Sequence, residues 1–184
     1  MGFFKNEWIV KKLITIAGKG AYDKIRKAAQ NPEYHQKKFL LDLLKEHSNT
    51  VFGQEHDFSK ITSYEEYKRV PLRKYNDYDK YIEMILDGKS DVLFSGRPVV
   101  YNTSSGTTGK VKLIPISGKF AKSLSKFNKI WMYSILEHNP QIFDGKSISS
   151  VGKAIEDYAR DGVPIGSIFQ VIVTEQFLNY KERI

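Results

Sequence analysis

The sequence predicts an α/β fold in which a helical N-terminal layer precedes a strand-bearing segment. Before residue 90, apolar residues recur at helical spacing between recognisable caps; after residue 96 they alternate in short runs, two of which flank a loop rich in Ser, Thr and Gly. The expected division is a mainly helical region over residues 1–90 and an α/β segment over 91–184. Neither contains an internal repeat or a low-complexity linker.

Taken in order, residues 3–17 set Phe4, Trp8, Leu13 and Ile16 near one helical face, which Gly18 and Gly20 are expected to break. This helix is expected to pack on the body of the protein rather than lie on a membrane, because its polar face carries acids as well as lysines. Asn31-Pro32 reads as N-cap and first position of a helix to about His47, with Phe39, Leu40, Leu43 and Leu44 buried. Ser63 and Glu66 form a capping box for a short helix that must stop before Pro71. Asp77 caps another helix, which buries Tyr78, Tyr81, Ile82 and Ile85 and ends at Gly88.

Strands are then expected over Pro98 to Thr103 and Val111 to Ile116, with Pro115 at a sheet edge or strand end. Ser117 opens a helix to about Glu137 whose buried side is Phe120, Leu124, Phe127, Trp131 and Ile135. Ser147 to Val151 and Ser167 to Val173 are further strand candidates. Asp161, Gly162, Pro164 and Gly166 read as a turn that shapes a neighbouring strand, with direct substrate contact the lesser alternative.

The loop between the first two strands carries the chemistry. Ser104-Ser105-Gly106-Thr107-Thr108-Gly109-Lys110-Val111-Lys112 holds four hydroxyls, two glycines and two lysines in nine residues. Glycines let successive N–H groups turn toward one anion, hydroxyls add donors and lysines add neutralising charge, so the composition suits phosphate. It is not a Walker A loop: Ser104 stands where the first Gly belongs, Val111 follows Lys110 where a hydroxyl belongs, and a strand rather than a helix follows. A Ser/Gly-rich hairpin turn with no ligand remains the alternative.

Composition narrows the remaining classes. The chain of 184 residues is long enough for a domain core, is 41% hydrophobic and 27% charged, and carries a net charge of +8. Its lysines are interleaved with acids and accompany no nucleic-acid motif, so no nucleic-acid partner is expected. With no cysteine there is no disulfide framework or thiolate site. His35, His47, His56 and His138 lack metal-ligand spacing, and no metal site is expected. Lys11 and Lys12 interrupt the apolar N-terminal segment, arguing against a secretory signal or a span; a cytoplasmic setting without membrane association is expected.

At the loop, the sequence resembles the adenylate-forming enzymes, whose signature is a Ser/Thr-rich Gly loop ending in Lys. It is more similar to the acyl-acid amido synthetases, the auxin- and jasmonate-conjugating enzymes also called the auxin-responsive promoter family. Upstream, Phe52-Gly53, His56-Asp57-Phe58, Tyr64-Glu65-Glu66-Tyr67, Val70-Pro71, Tyr75, Tyr81-Ile82 and Gly88 follow that family's order. Downstream, Ser105-Gly106-Thr107-Thr108-Gly109, Lys112-Leu113-Ile114-Pro115 and Asp161-Gly162-Val163-Pro164-Ile165-Gly166-Ser167 do so as well. Plant members carry an extra small residue before the second Gly; its absence here resembles the bacterial branch.

The resemblance implies part of the large N-terminal domain of the adenylate-forming, luciferase-like fold. It implies a ligase that uses ATP and Mg2+ to adenylate a small carboxylic acid and conjugate it to an amino acid. It assigns Ser104, Ser105, Gly106, Thr107, Thr108 and Gly109 to nucleotide phosphate and Lys112 to charge neutralisation during catalysis, with Lys110 a replaceable helper. The helix after Ser117 becomes the expected wall of an acyl pocket, with Phe127 and Trp131 on it. Other readings are a different adenylate-forming ligase, such as an acyl-CoA ligase, and a non-enzymatic basic binding module. The ordered landmarks before residue 90 favour the first reading over the second.

Family members are much longer, so the rest of the large domain and the C-terminal domain are expected outside this chain. The 184-residue chain should therefore show no acid-dependent exchange of pyrophosphate into ATP. Robust exchange by the chain alone would mean that its adenine and carboxylate subsites are complete.

Overall fold

The computed structural model describes residues 7–103, 112–145, 153 and 155–168. It forms two compact units, Met1–Pro32 with Ala121–Ser150 and Glu33–Phe120 with Val151–Ile184. Phe4, the strand candidate Ser147–Val151 and the part of the Ser167–Val173 candidate after Ile168 lie outside the described residues.

In the first unit, helix α1 (Glu7–Ala28) does not break at Gly18 or Gly20 but runs through both. Gly18 is the buried residue of the helix, and the reason is contact. A Cβ there would stand 2.4 Å from the Lys129 carbonyl oxygen and 2.5 Å from Tyr133 Cβ, both on the helix after Ser117. The glycine is kept because two backbones approach at that point, at a cost in helix propensity. One turn later the Tyr22 and Tyr133 rings meet edge to face, 5.2 Å between centroids, and Lys11 pairs with Asp144. Trp8, Leu13 and Ile16 are exposed among the described residues. No helix of the described residues is long and apolar enough to cross a membrane.

The helix paired with α1 begins as expected. Ser117 Oγ accepts a bond from the Phe120 N–H at 3.1 Å, and α6 spans Gly118–His138. Its buried side is not the expected one. Ala121, Ile130 and Tyr133 are buried, whereas Phe120, Phe127 and Trp131 are exposed, the last two by 60% and 54%. Leu124 and Ile135 of the expected stripe are half-buried, so the stripe is covered only in part, while α1 meets the face that carries Lys129 and Tyr133.

In the second unit, α2 (Pro32–Glu46) starts at the expected proline. It buries Leu44, with Leu40 and His47 half-buried at i−4 and i+3, while Phe39 is 68% exposed and Leu43 is also exposed. The buried stripe is thus rotated by one position from the expected one. Helix α3 (Val51–Glu55) follows a fully buried Thr50, whose hydroxyl donates to His47 O at 2.7 Å and accepts from Gly53 N at 2.9 Å.

Helix α4 (Tyr64–Tyr67) forms half of the predicted capping box. Ser63 Oγ accepts from Glu66 N at 3.2 Å, but the Glu66 carboxylate accepts from the Thr62 N–H and hydroxyl at 2.7 and 3.0 Å, one residue short of the reciprocal bond. Asp77 accepts from Lys74 N at 2.7 Å and so closes the 3-10 turn Tyr75–Tyr78 rather than capping α5 (Asp79–Leu86). Helix α5 buries Tyr81, Ile82 and Ile85, with Tyr78 half-buried before it, and the chain leaves it at Gly88 with φ +89°. Tyr81 and Ile85 pack with Val92 and Tyr101 to make the core.

The sheet has strand order β2 (Leu113–Ser117), β1 (Pro98–Thr103), β4 (Pro164–Ile165), β3 (Asp157–Tyr158). Strand β1 (Pro98–Thr103) pairs antiparallel with β2 (Leu113–Ser117) from Pro98↔Ser117 to Thr103↔Leu113, with a register irregularity between Pro98 and Val100. Pro115 lies on the edge strand β2, where a missing N–H is tolerated. On its other side β1 runs parallel to β4 (Pro164–Ile165), which forms a hairpin with β3 (Asp157–Tyr158). The region read as a turn therefore contains a strand of its own, bonded to β1 through Gly166 N–H and Tyr101 O at 3.0 Å.

Asp161 and Arg160 lock that hairpin in place. The Asp161 carboxylate is fully buried; it accepts from the Tyr101 hydroxyl at 2.9 Å, Arg97 Nη2 at 3.3 Å and Val163 N at 3.1 Å. Burial pushes the Tyr101 hydroxyl well above its ordinary pKa and the adjacent carboxylate adds to this, so it stays protonated and donates. Asp161 is thus occupied by the fold rather than turned to a substrate. Arg160 reaches Glu83, Asp87 and the Leu86 carbonyl, joining the hairpin to the C-terminal end of α5.

Three substitutions test these contacts. Gly18→Ala should destabilise by about 1–3 kcal/mol through overpacking, while Gly20→Ala, which meets nothing within 4 Å, should stabilise by about 0.5–1 kcal/mol; urea denaturation of both variants checks the opposite signs. Asp161→Ala leaves a buried Tyr101 hydroxyl without its acceptor and should cost about 2–4 kcal/mol, read as a lower urea midpoint at unchanged slope.

Candidate functional site

The loop predicted to hold phosphate leaves β1 after Thr103 and enters β2 at Leu113, and these two residues face one another as the last pair of the β1–β2 register. Its ends are therefore paired neighbours at one end of the sheet. Ser104, Ser105, Gly106, Thr107, Thr108 and Gly109, with Lys110 and Val111, lie outside the described residues. Lys112, the residue assigned to charge neutralisation, is described and exposed at the foot of the loop.

Lys112 is held by an aromatic ring. Its Nζ stands 5.2 Å from the centre of the Tyr75 ring, within cation–π range. The hydroxyl of the same tyrosine donates to the backbone carbonyl of Leu113 at 2.9 Å. Burial raises the Tyr75 pKa, so Tyr75 is a neutral donor at physiological pH. Sequence reasoning placed Tyr75 only among ordered landmarks, because a contact spanning 38 positions leaves no local pattern.

Beside Tyr75 in the chain, Arg73 donates from Nη2 to His56 Nε2 at 2.9 Å. His56 Nδ1–H donates to Phe52 O at 2.8 Å, and the ring stacks on Phe52 at 4.1 Å between centroids. Both ring nitrogens are thereby engaged, and His56 caps α3, in keeping with the structural reading of the histidines. His138 Nδ1 likewise donates to Ser134 O at 2.7 Å. Among the described residues no group of three or more His, Cys, Asp or Glu could hold a metal ion. The described chemistry at the strand ends is thus one ammonium on an aromatic seat beside two paired strand termini, an arrangement suited to an anion.

Comparison with known proteins bears on the family of the chain. The description "GH3 family N-terminal domain" matches residues 21–183. An indole-3-acetic acid-amido synthetase, GH3.15 of Arabidopsis thaliana, is 35% identical over 83 residues, which are 44% of this chain and 14% of that protein. A jasmonoyl–L-amino acid synthetase, GH3.5 of Oryza sativa subsp. japonica, is 28% identical over 131 residues, 70% of this chain and 22% of that protein. The chain thus spans less than a quarter of the length of these relatives. The solved structure of a GH3.15 acyl acid amido synthetase superimposes with a TM-score of 0.74 at 21% identity, covering 86% of this chain and 29% of that one, and shares its fold. The match over nearly the whole chain and the shared α/β architecture lead to one conclusion: the chain belongs to the GH3 family, as its N-terminal domain.

Proposed function

We propose that this chain is the phosphate-holding N-terminal part of an ATP-dependent acyl-acid amido synthetase, which adenylates a small carboxylic acid and joins it to an amino acid. The observation that carries the reading is the Ser/Thr/Gly loop strung between two paired strand ends, with Lys112 seated at its foot. The names of the relatives support the reaction class, since each describes the joining of an acid to an amino acid or amide.

In the proposed reaction a carboxylate oxygen attacks the α-phosphorus of ATP and pyrophosphate leaves with the electron pair of the broken P–O bond. The amino-acid amine then displaces AMP from the acyl carbon and loses a proton. The attacking carboxylate is already ionised at neutral pH and needs no general base, which suits a chain with four histidines and no catalytic triad spacing. Catalysis is positioning and charge stabilisation. The backbone and hydroxyls of Ser104 to Gly109 bind the β- and γ-phosphates, and Lys112 neutralises charge on the leaving group. Mg2+, carried by the nucleotide, would neutralise phosphate charge; among the described residues no group of three or more His, Cys, Asp or Glu could hold it.

The remaining proposals are of context. The absence of the extra small residue before Gly109 supports a bacterial-type member. The scattered lysines and the lack of a nucleic-acid motif support small-molecule partners rather than nucleic acid or membrane, in the cytoplasm.

In the enzyme that carries this domain, Thr107→Ala combined with Lys112→Ala should lower the adenylation rate roughly 10²-fold or more while changing affinity for the acyl acid far less. Charge builds on the bridging and terminal oxygens as the P–O bond breaks, so lost donors matter most there. A bare structural turn predicts instead a lower melting temperature and a parental rate per folded molecule. Rate and melting temperature measured on the same variant decide between the two.

A further inference from the structure

The phosphate reading leaves open how a flexible lysine at the end of a strand is kept ready for an anion. Lys112 is exposed, and a lysine side chain with four rotatable bonds would otherwise sweep a wide volume. One side chain from a distant turn touches both Lys112 and its neighbour. The Tyr75 ring faces the Lys112 ammonium at 5.2 Å, and the Tyr75 hydroxyl bonds the carbonyl of Leu113 at 2.9 Å. Tyr75 is itself held, because it opens the 3-10 turn Tyr75–Tyr78, which Asp77 closes onto Lys74 N at 2.7 Å.

We infer that Tyr75 is the positioning residue for Lys112, fixing the first residue of β2 through its hydroxyl and the ammonium through its ring so that the charge waits for a phosphate oxygen. The function of this clamp rests on the phosphate reading given above, whereas the clamp itself rests on geometry. A lysine ordered before its ligand arrives loses less freedom on binding, which raises affinity without a new contact to the ligand. The ring does not neutralise the ammonium, as a carboxylate partner would, so its full charge stays available. The two contacts also separate by substitution. Phe at position 75 keeps the ring and loses the hydroxyl; Leu loses both.

The test uses the 184-residue chain with inorganic pyrophosphate as the probe. In the parent, the Lys112 side-chain protons nearest Nζ should resonate upfield through the ring current of Tyr75. The shift should persist in Tyr75→Phe and vanish in Tyr75→Leu, with the amide spectrum otherwise retained. Pyrophosphate should bind Tyr75→Leu about three- to tenfold more weakly than the parent and Tyr75→Phe less affected. In a Lys112→Met background, Tyr75→Leu should add no further loss, because the two act as one unit. Unshifted Lys112 protons in the parent, or the same loss of binding with and without Lys112, would overturn the inference. A parent that binds no pyrophosphate would sink the phosphate reading, and the ring-current comparison would still decide whether Tyr75 seats Lys112.

Discussion

A fully buried tyrosine in a middle strand must find a polar partner for its hydroxyl, and Tyr101 finds Asp161. That constraint organises the sheet-bearing unit. The carboxylate is itself buried and is acceptable there only because Tyr101, Arg97 and the Val163 N–H all donate to it. To deliver Asp161, the segment after Asp157 must double back as a hairpin and lie parallel to β1, where Gly166 completes the ladder on the Tyr101 carbonyl. The tyrosine ring meanwhile packs with Tyr81, Ile85 and Val92, so one residue joins helix, sheet and hairpin.

The same strand sets the candidate site. Because β1 is held on one side by β4 and on the other by β2, its end at Thr103 is fixed opposite Leu113. The nine residues from Ser104 to Lys112 therefore leave and re-enter the sheet at adjacent points. Lys112 closes that stretch on the Tyr75 ring. Under the proposed function this separates rigidity from chemistry: the strands, the Tyr101–Asp161 bond and Tyr75 supply position, and the Ser, Thr, Gly and Lys residues would supply donors and charge.

The helical unit follows a different logic. Where the core of the second unit excludes water with large side chains, the contact between α1 and α6 is made by removing one, at Gly18. This leaves Phe127 and Trp131 exposed on α6 and Ile16 exposed on α1. In a chain spanning less than a quarter of the length of its relatives, such faces are apolar surface that the described residues do not cover.

By itself the sequence determined the features that local chemistry governs. Pro98–Thr103 is a strand; Pro32 opens a helix; Ser63 and Ser117 cap; Gly88 ends α5 in a left-handed conformation; and the ordered landmarks lead to the family the chain belongs to. Each depends on dihedral preferences or hydrogen bonds within a few residues, and those are written in adjacent letters. Tertiary structure alone decided which side of a helix is buried, because periodicity marks an apolar stripe without naming its neighbour. Hence Phe39, Phe127 and Trp131 lie outside while Ile130 and Tyr133 lie inside. It also decided that Gly18 is a contact rather than a break, that Asp161 serves Tyr101, and that Tyr75 seats Lys112. Those pairings join residues tens of positions apart, and only the folded chain brings such atoms within hydrogen-bond or van der Waals reach.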